Sequence, residues 1–114
     1  MTSPLELSEA HRALRDETAA VAASLEPLAA DADEADRFVP AVRSVLRESG
    51  LARYTVPAAY GGRDERVDSL AITVIRESLA EVSSHADSML AMQGIGSFAL
   101  ALGGSDELRE RWLP

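Results

Sequence analysis

The stretch MLAMQGIGSFALAL (Met89–Leu102), closed by Gly103-Gly104, decides how the rest of the chain is read. It carries no charged residue. Met89, Leu90, Met92, Ile95, Phe98, Leu100 and Leu102 fall around every side of a helix rather than along one stripe. A helix that is apolar all round has to be covered on all sides. The run is too short to cross a bilayer and has the length of a buried core helix. Gln93, Gly94, Gly96 and Ser97 interrupt it. Glycine in a helix interior costs about 1 kcal/mol relative to alanine, and the usual reason for it is close approach of another backbone or a ligand. The remaining chain is then read as the cover. The first helix, the Phe38–Gly50 helix and the Ser69–Val82 helix each offer one apolar stripe, so the face with Gly94 and Gly96 is expected to find no partner inside this chain.

The chain has 114 residues, enough for one domain with a real core and small for an enzyme. Its net charge of −8 argues against a nucleic-acid surface and against adhesion to an anionic membrane. There is no cysteine, hence no disulfide and no thiolate metal site. No signal peptide and no spanning segment can be read, so a cytoplasmic location is expected. All eleven basic residues are arginine and alanine is abundant, a bias expected of a GC-rich bacterial genome.

Helical periodicity dominates. Ser3-Pro4-Leu5-Glu6 has the form of a capping box, with Ser8 as a competing cap. Leu7, Leu14, Val21 and Leu28 then recur at heptad spacing, with Leu25 in the alternate seam position, predicting a helix to about Ala30. Pro27 is expected to disrupt or bend its last turn. The charge run Asp31–Asp36 reads as a solvated turn or helix end. Phe38 is expected to anchor the start of a second helix, with Pro40 in its first turn, an inner face of Val42, Val45 and Leu46, and Gly50 as its stop. Residues 51–68 read as an irregular loop. Tyr54-Thr55-Val56 is β-prone but too short for a strand, and Tyr60-Gly61-Gly62 is a turn. Leu70, Ala71, Val74, Ile75, Leu79 and Val82 predict a one-sided helix from Ser69. Ser84 or Asp87 is expected to cap the helix containing Met89–Leu102. Ser105 is expected to cap a last helix, with Asp106 and Glu107 in its first turn. The expected fold is an all-α bundle of about five helices in one domain, residues 1–114. Trp112, the last position but two, suggests that more chain or a partner packs there.

Chemistry is hard to find. His11 and His85 are far apart, both near helix starts, and read as boundary and capping residues rather than members of a triad. No phosphate-binding loop, dinucleotide fingerprint or metal-ligand spacing is present. The carboxylates lie in polar runs, where a solvated state is expected.

At Glu48-x-Gly50-Leu51 and Val56-Pro57-x-x-Tyr60-Gly61-Gly62 the sequence resembles the N-terminal helical domain of acyl-CoA dehydrogenases. The likeness extends to Leu7-Ser8-Glu9-x-His11-Arg12-x-Leu14-Arg15, Asp36-Arg37-Phe38, Ala86-Asp87-Ser88, Gly104-Ser105-Asp106-Glu107 and Arg109-x-x-Trp112-Leu113-Pro114. These motifs cover nearly the whole chain in the right order.

The resemblance implies one part of an oligomeric FAD flavoenzyme that desaturates an acyl thioester carried by CoA or a carrier protein. In that family a β domain and a second helical domain follow, and most of the flavin site and the base lie there. It also implies that Met89, Met92, Gln93, Gly96 and Ser97 are candidates to line an acyl or flavin-facing cleft, with core packing as the competing role. Val56, Pro57, Tyr60, Gly61 and Gly62 carry a structural motif. No catalytic residue and no metal ligand is expected in this chain, and completion by further domains or a partner subunit is. Two positions depart from the family pattern. Arg63-Asp64 follows Gly62 where many members continue to a third glycine, and Ala99-Leu100 stands where a proline is common. A reading of a different class is a free-standing, non-catalytic helical interaction or ligand-binding module on the same scaffold.

Overall fold

A computed structural model of the chain describes residues 3, 6–35 and 37–114. Among the described residues five α-helices are formed: α1 (Glu9–Glu34), α2 (Pro40–Ser49), α3 (Ser69–Ala80), α4 (Ser84–Gly103) and α5 (Asp106–Trp112). Two short 3-10 helices, Leu51–Thr55 and Ala58–Tyr60, lie between α2 and α3. No strand occurs among the described residues.

Side chains close the helix starts as their chemistry dictates. Ser8 accepts a hydrogen bond from the His11 N–H and caps α1. Asp68 caps α3 through the Leu70 N–H, and Ser105 caps α5 through the Leu108 N–H. Each satisfies a backbone donor that the helix cannot. Pro4 and Leu5, from the expected Ser3–Glu6 capping box, lie outside the described residues, as does Asp36 of the charge run. Gly50 ends α2 in the left-handed conformation, φ 75°.

The core joins one stripe from each long helix. Leu14, Ala22 and Leu25 of α1 meet Ala71, Val74, Ile75 and Leu79 of α3, with Val42 and Leu46 of α2, Leu51, and Ala86 and Leu90 of α4 completing the cluster. Thr18 is fully buried, and its hydroxyl donates to the Leu14 carbonyl (2.8 Å), so no polar group is left open in the seam.

Several expectations are corrected. Helix α1 does not end near Ala30 but continues past Pro27 to Glu34, with Ala32 buried; residues 31–34 form its last turn, the helix end that the charge run allowed. Cap duty at α4 falls to neither Ser84 nor Asp87. Ser83, wholly buried, accepts from the Ala86 N–H (3.1 Å). Asp87 instead takes two hydrogen bonds from Arg76, at 2.7 and 3.1 Å, pinning α3 to the first turn of α4. That carboxylate holds the Arg76 guanidinium above its ordinary pKa. Phe38 is not buried as an anchor; its ring is 53% exposed, with the Arg43 guanidinium 5.3 Å over it.

Helix α4 has an uncovered side, as the count of apolar stripes implied; Gly96 lies on it, whereas Gly94 faces Thr55. Only Ala86, Leu90 and Ser97 of this helix are buried, while Met92, Ile95, Phe98 and Leu102 are 53–68% exposed. The other helices cover one side of α4 and leave the opposite side bare.

Candidate functional site

The bare side of α4 lies between two grooves. On the α3 side, Thr55, Val67, Ile72, Leu90, Ala91, Gly94, Ile95 and Phe98 line a cavity of about 590 Å³. Its walls are mostly hydrocarbon. The ionised group at its edge, Arg76, is already held by Asp87. The volume lies in the range of small-molecule sites, which are concave and chiefly apolar. Gly94 has a local reason here: a Cβ at this position would stand 3.7 Å from the Thr55 methyl, in ordinary contact with the first 3-10 helix.

On the α2 side, Phe38, Arg43, His85, Ser88, Met89, Met92 and Gln93 line a second groove of about 510 Å³. The residues named from sequence are therefore divided. Met89, Met92 and Gln93 come together in this second groove. Gly96 is exposed on the bare side, and a Cβ there would meet nothing within 4 Å. Ser97 is buried and accepts a hydrogen bond from the Gln93 side-chain amide (3.1 Å).

Sequence reasoning missed the α3-side groove, because Val67 and Ile72 belong to elements distant in sequence. One usable signal was present: Ala91, Ile95, Phe98 and Leu102 follow the i, i+3, i+4 spacing of a helix face. They share a face that nothing in the chain's other apolar stripes could reach.

The motif Val56-Pro57-x-x-Tyr60-Gly61-Gly62 supports the α3-side groove from below. Gly61 adopts φ 91°, a left-handed conformation. Gly62 sits where the chain folds back on itself: a Cβ there would lie 1.7 Å from the Val56 carbonyl oxygen. The Gly62 N–H donates to the Pro57 carbonyl (3.1 Å), and the Ala58 N–H to that of Asp64 (2.7 Å). Thr55 and Val56, which lead into the turn, are both buried, and Thr55 faces Gly94 of α4 across the groove.

The histidines are both structural. Nε2 of His85 accepts from the Val39 N–H (3.2 Å) at the start of α2. His11 has its Nδ1 2.6 Å from the Ser8 hydroxyl and its Nε2 2.7 Å from Asp68. The pair with His11 holds the Asp68 carboxyl below the usual carboxylate range. Serine, histidine and aspartate thus meet across a sequence gap that spacing did not reveal. They join the caps of α1 and α3 and border neither groove. No group of three or more His, Cys, Asp or Glu side chains placed to hold a metal occurs among the described residues.

The profile of the family described as "Acyl-CoA dehydrogenase, N-terminal domain" matches residues 8–114. "Probable acyl-CoA dehydrogenase fadE25" of Mycobacterium leprae is 36% identical over 109 residues, covering 95% of this chain and 28% of that protein. The cyclohexane-1-carbonyl-CoA dehydrogenase of Geobacter metallireducens is 36% identical over 88 residues, covering 77% of this chain and 23% of the relative. The cyclohex-1-ene-1-carbonyl-CoA dehydrogenase of the same organism is 37% identical over 87 residues, covering 76% and 22%. The chain thus spans about a quarter of the length of these relatives. With its five helices in the expected order and the match extending over nearly every residue, the chain belongs to the acyl-CoA dehydrogenase family, as its N-terminal helical domain.

Proposed function

We propose that this domain forms one wall of the acyl and flavin cleft in an FAD-dependent enzyme that desaturates acyl thioesters at the α,β position. The observation that carries this reading is the bare side of α4. Met92, Ile95, Phe98 and Leu102 stand in solvent beside an apolar groove of about 590 Å³. A contiguous apolar surface of this kind marks a binding site or an interface.

Ile72, Ile95 and Phe98 offer hydrocarbon to an acyl chain, and Gly96 leaves room for a flat ring to approach the helix. Arg76, at the edge of the α3-side groove, is committed to Asp87. FAD, when bound, accepts the hydride removed from the acyl chain. It is held mainly by residues outside this chain, as is the base that takes the α-proton. The role of the present residues is to bind and orient the chain and to exclude water from it. The domain works within a larger, oligomeric assembly, joined to the remaining domains or completed by a partner chain, in the cytoplasm. CoA or a carrier protein supplies the thioester.

The test places Ile95→Lys in the complete enzyme and follows reduction of an artificial electron acceptor by acyl-CoA. Turnover is expected to fall by about two orders of magnitude, because a charge is set against the acyl chain. The melting temperature of the 114-residue chain carrying the same change should stay put, since Ile95 is already 65% exposed there. Unchanged turnover would overturn the reading.

A further inference from the structure

A third cavity, of about 400 Å³, lies where α2 and the first 3-10 helix meet α4. Leu46, Met89 and Leu90 form its apolar floor, and Arg43, Arg47 and Arg53 stand around it. It shares Arg43, Met89 and Gln93 with the groove that runs on toward Met92 and Phe38. The chain carries 19 carboxylates against 11 arginines, yet none of the residues lining either cavity is acidic.

Among the described residues, the three guanidinium groups are uncommitted to any carboxylate: ion pairs form at His11–Asp68, Arg15–Asp16, Arg76–Asp87 and Arg109–Asp106, and none involves Arg43, Arg47 or Arg53. Two of them are nevertheless held in place. Arg43 stacks on the Phe38 ring, and Nε of Arg53 donates to the Gly61 carbonyl (2.9 Å). Arg43 and Arg47 are one helical turn apart, so their side chains lie on the same face of α2. A guanidinium presents a planar fork of donors that matches a carboxylate or phosphate, and stacking or a fixed hydrogen bond reduces the entropy lost on binding.

We infer that this cavity binds an amphiphilic organic anion: a hydrocarbon chain on Leu46, Met89 and Leu90, ending in a carboxylate or phosphate held by Arg43, Arg47 and Arg53. The site is separate from the α3-side groove, with which it shares only Leu90, and does not depend on the flavoenzyme reading. Overall charge hides it. The net charge of −8 disfavours anions on average, while the local field at α2 favours them.

The test titrates the full 114-residue chain, labelled for amide NMR, with four probes: octanoate, octyl phosphate, octanol and inorganic phosphate. Octanoate or octyl phosphate should saturate and shift the amides of residues 43–53 and 89–93, and whichever of the two is tighter identifies the head group. Octanol and inorganic phosphate should each bind at least about tenfold more weakly, as each offers half of the recognition. Combined R43Q and R47Q should weaken the tighter probe by about tenfold or more. Arg47→Gln alone, which removes no side-chain hydrogen bond or ion pair found among the described residues, should weaken it in the same direction with the amide spectrum otherwise preserved. Octanol binding as tightly as the anions, shifts confined to the α3-side groove, unaltered binding by the Arg47 variant, or no saturation by either anion would each overturn the inference.

Discussion

Two adjacent glycines illustrate how differently one residue type can be constrained. Alanine at Gly61 meets no neighbour within 4 Å but must adopt φ 91°, a left-handed backbone costing roughly 1–2 kcal/mol. Alanine at Gly62 drives its Cβ into the Val56 carbonyl, so the turn itself must move. In urea unfolding, Gly61→Ala should therefore cost about 1 kcal/mol, and Gly62→Ala clearly more, about 3 kcal/mol. Equal effects at the two positions would contradict the turn geometry. A second prediction concerns Asp68, whose folded pKa is depressed by the hydrogen bond from His11. A depressed carboxyl pKa adds stability that is present above the ordinary carboxylate range and is lost as pH falls through the folded value. Thermal melts should show stability declining in acid below that range, with His11→Gln flattening the decline. A wild-type and variant decline of the same slope would count against the pair. Sequence reading placed both glycines in a turn, where Tyr-Gly-Gly chemistry is local. It could not see His11 reach Asp68, because that contact closes a gap of 57 residues.

At the scale of elements, α1, α2 and α3 were legible because each buries one stripe and advertises it at helical spacing, and α5, which buries no residue, was legible from its Ser105 cap. Leu14, Leu25, Val42, Leu46, Val74, Ile75 and Leu79 were all named from periodicity, and all are buried. In helix α4 the apolar residues have two different reasons to be apolar. Leu90 belongs to the core, whereas Ile95 and Phe98 face outward. Periodicity reports what a residue would accept as a neighbour, not whether this chain supplies one. Pro27 does not end α1: it is exposed, and the packing of Leu25 and Ala32 on either side carries the helix past it. The two roles within α4 separate experimentally. Leu90→Ala should cost about 2–5 kcal/mol by leaving a cavity. Ile95→Gln or Phe98→Gln should stay within about 0.5 kcal/mol of wild type, as surface changes do. Denaturant midpoints of the three variants check this, and a large loss at Ile95 would mean that the chain itself covers that side. Ser83→Ala, which removes the buried cap of α4, should cost about 1–2 kcal/mol in the same assay.

As a whole, the molecule is a slab of 44 × 40 × 19 Å. Its thinnest dimension is about two helix diameters, so the bundle is too flat to enclose α4. Its radius of gyration of 14.8 Å is larger than that of a compact domain of similar length, about 13 Å. The flatness gives physical form to the proposed role, since a wall of a cleft must keep one apolar side open. It also explains why the sequence pointed to a cleft lining through Met89, Met92, Gln93, Gly96 and Ser97 without resolving the two grooves, which exist only once α2 and α3 flank α4. The central claim is that this chain shapes the cleft but does not by itself hold the flavin. Its most direct test is to purify the 114-residue chain from cells supplied with riboflavin, establish that it is folded, and measure flavin by visible absorbance. The account predicts a folded, colourless protein. A yellow monomer carrying stoichiometric FAD would contradict it.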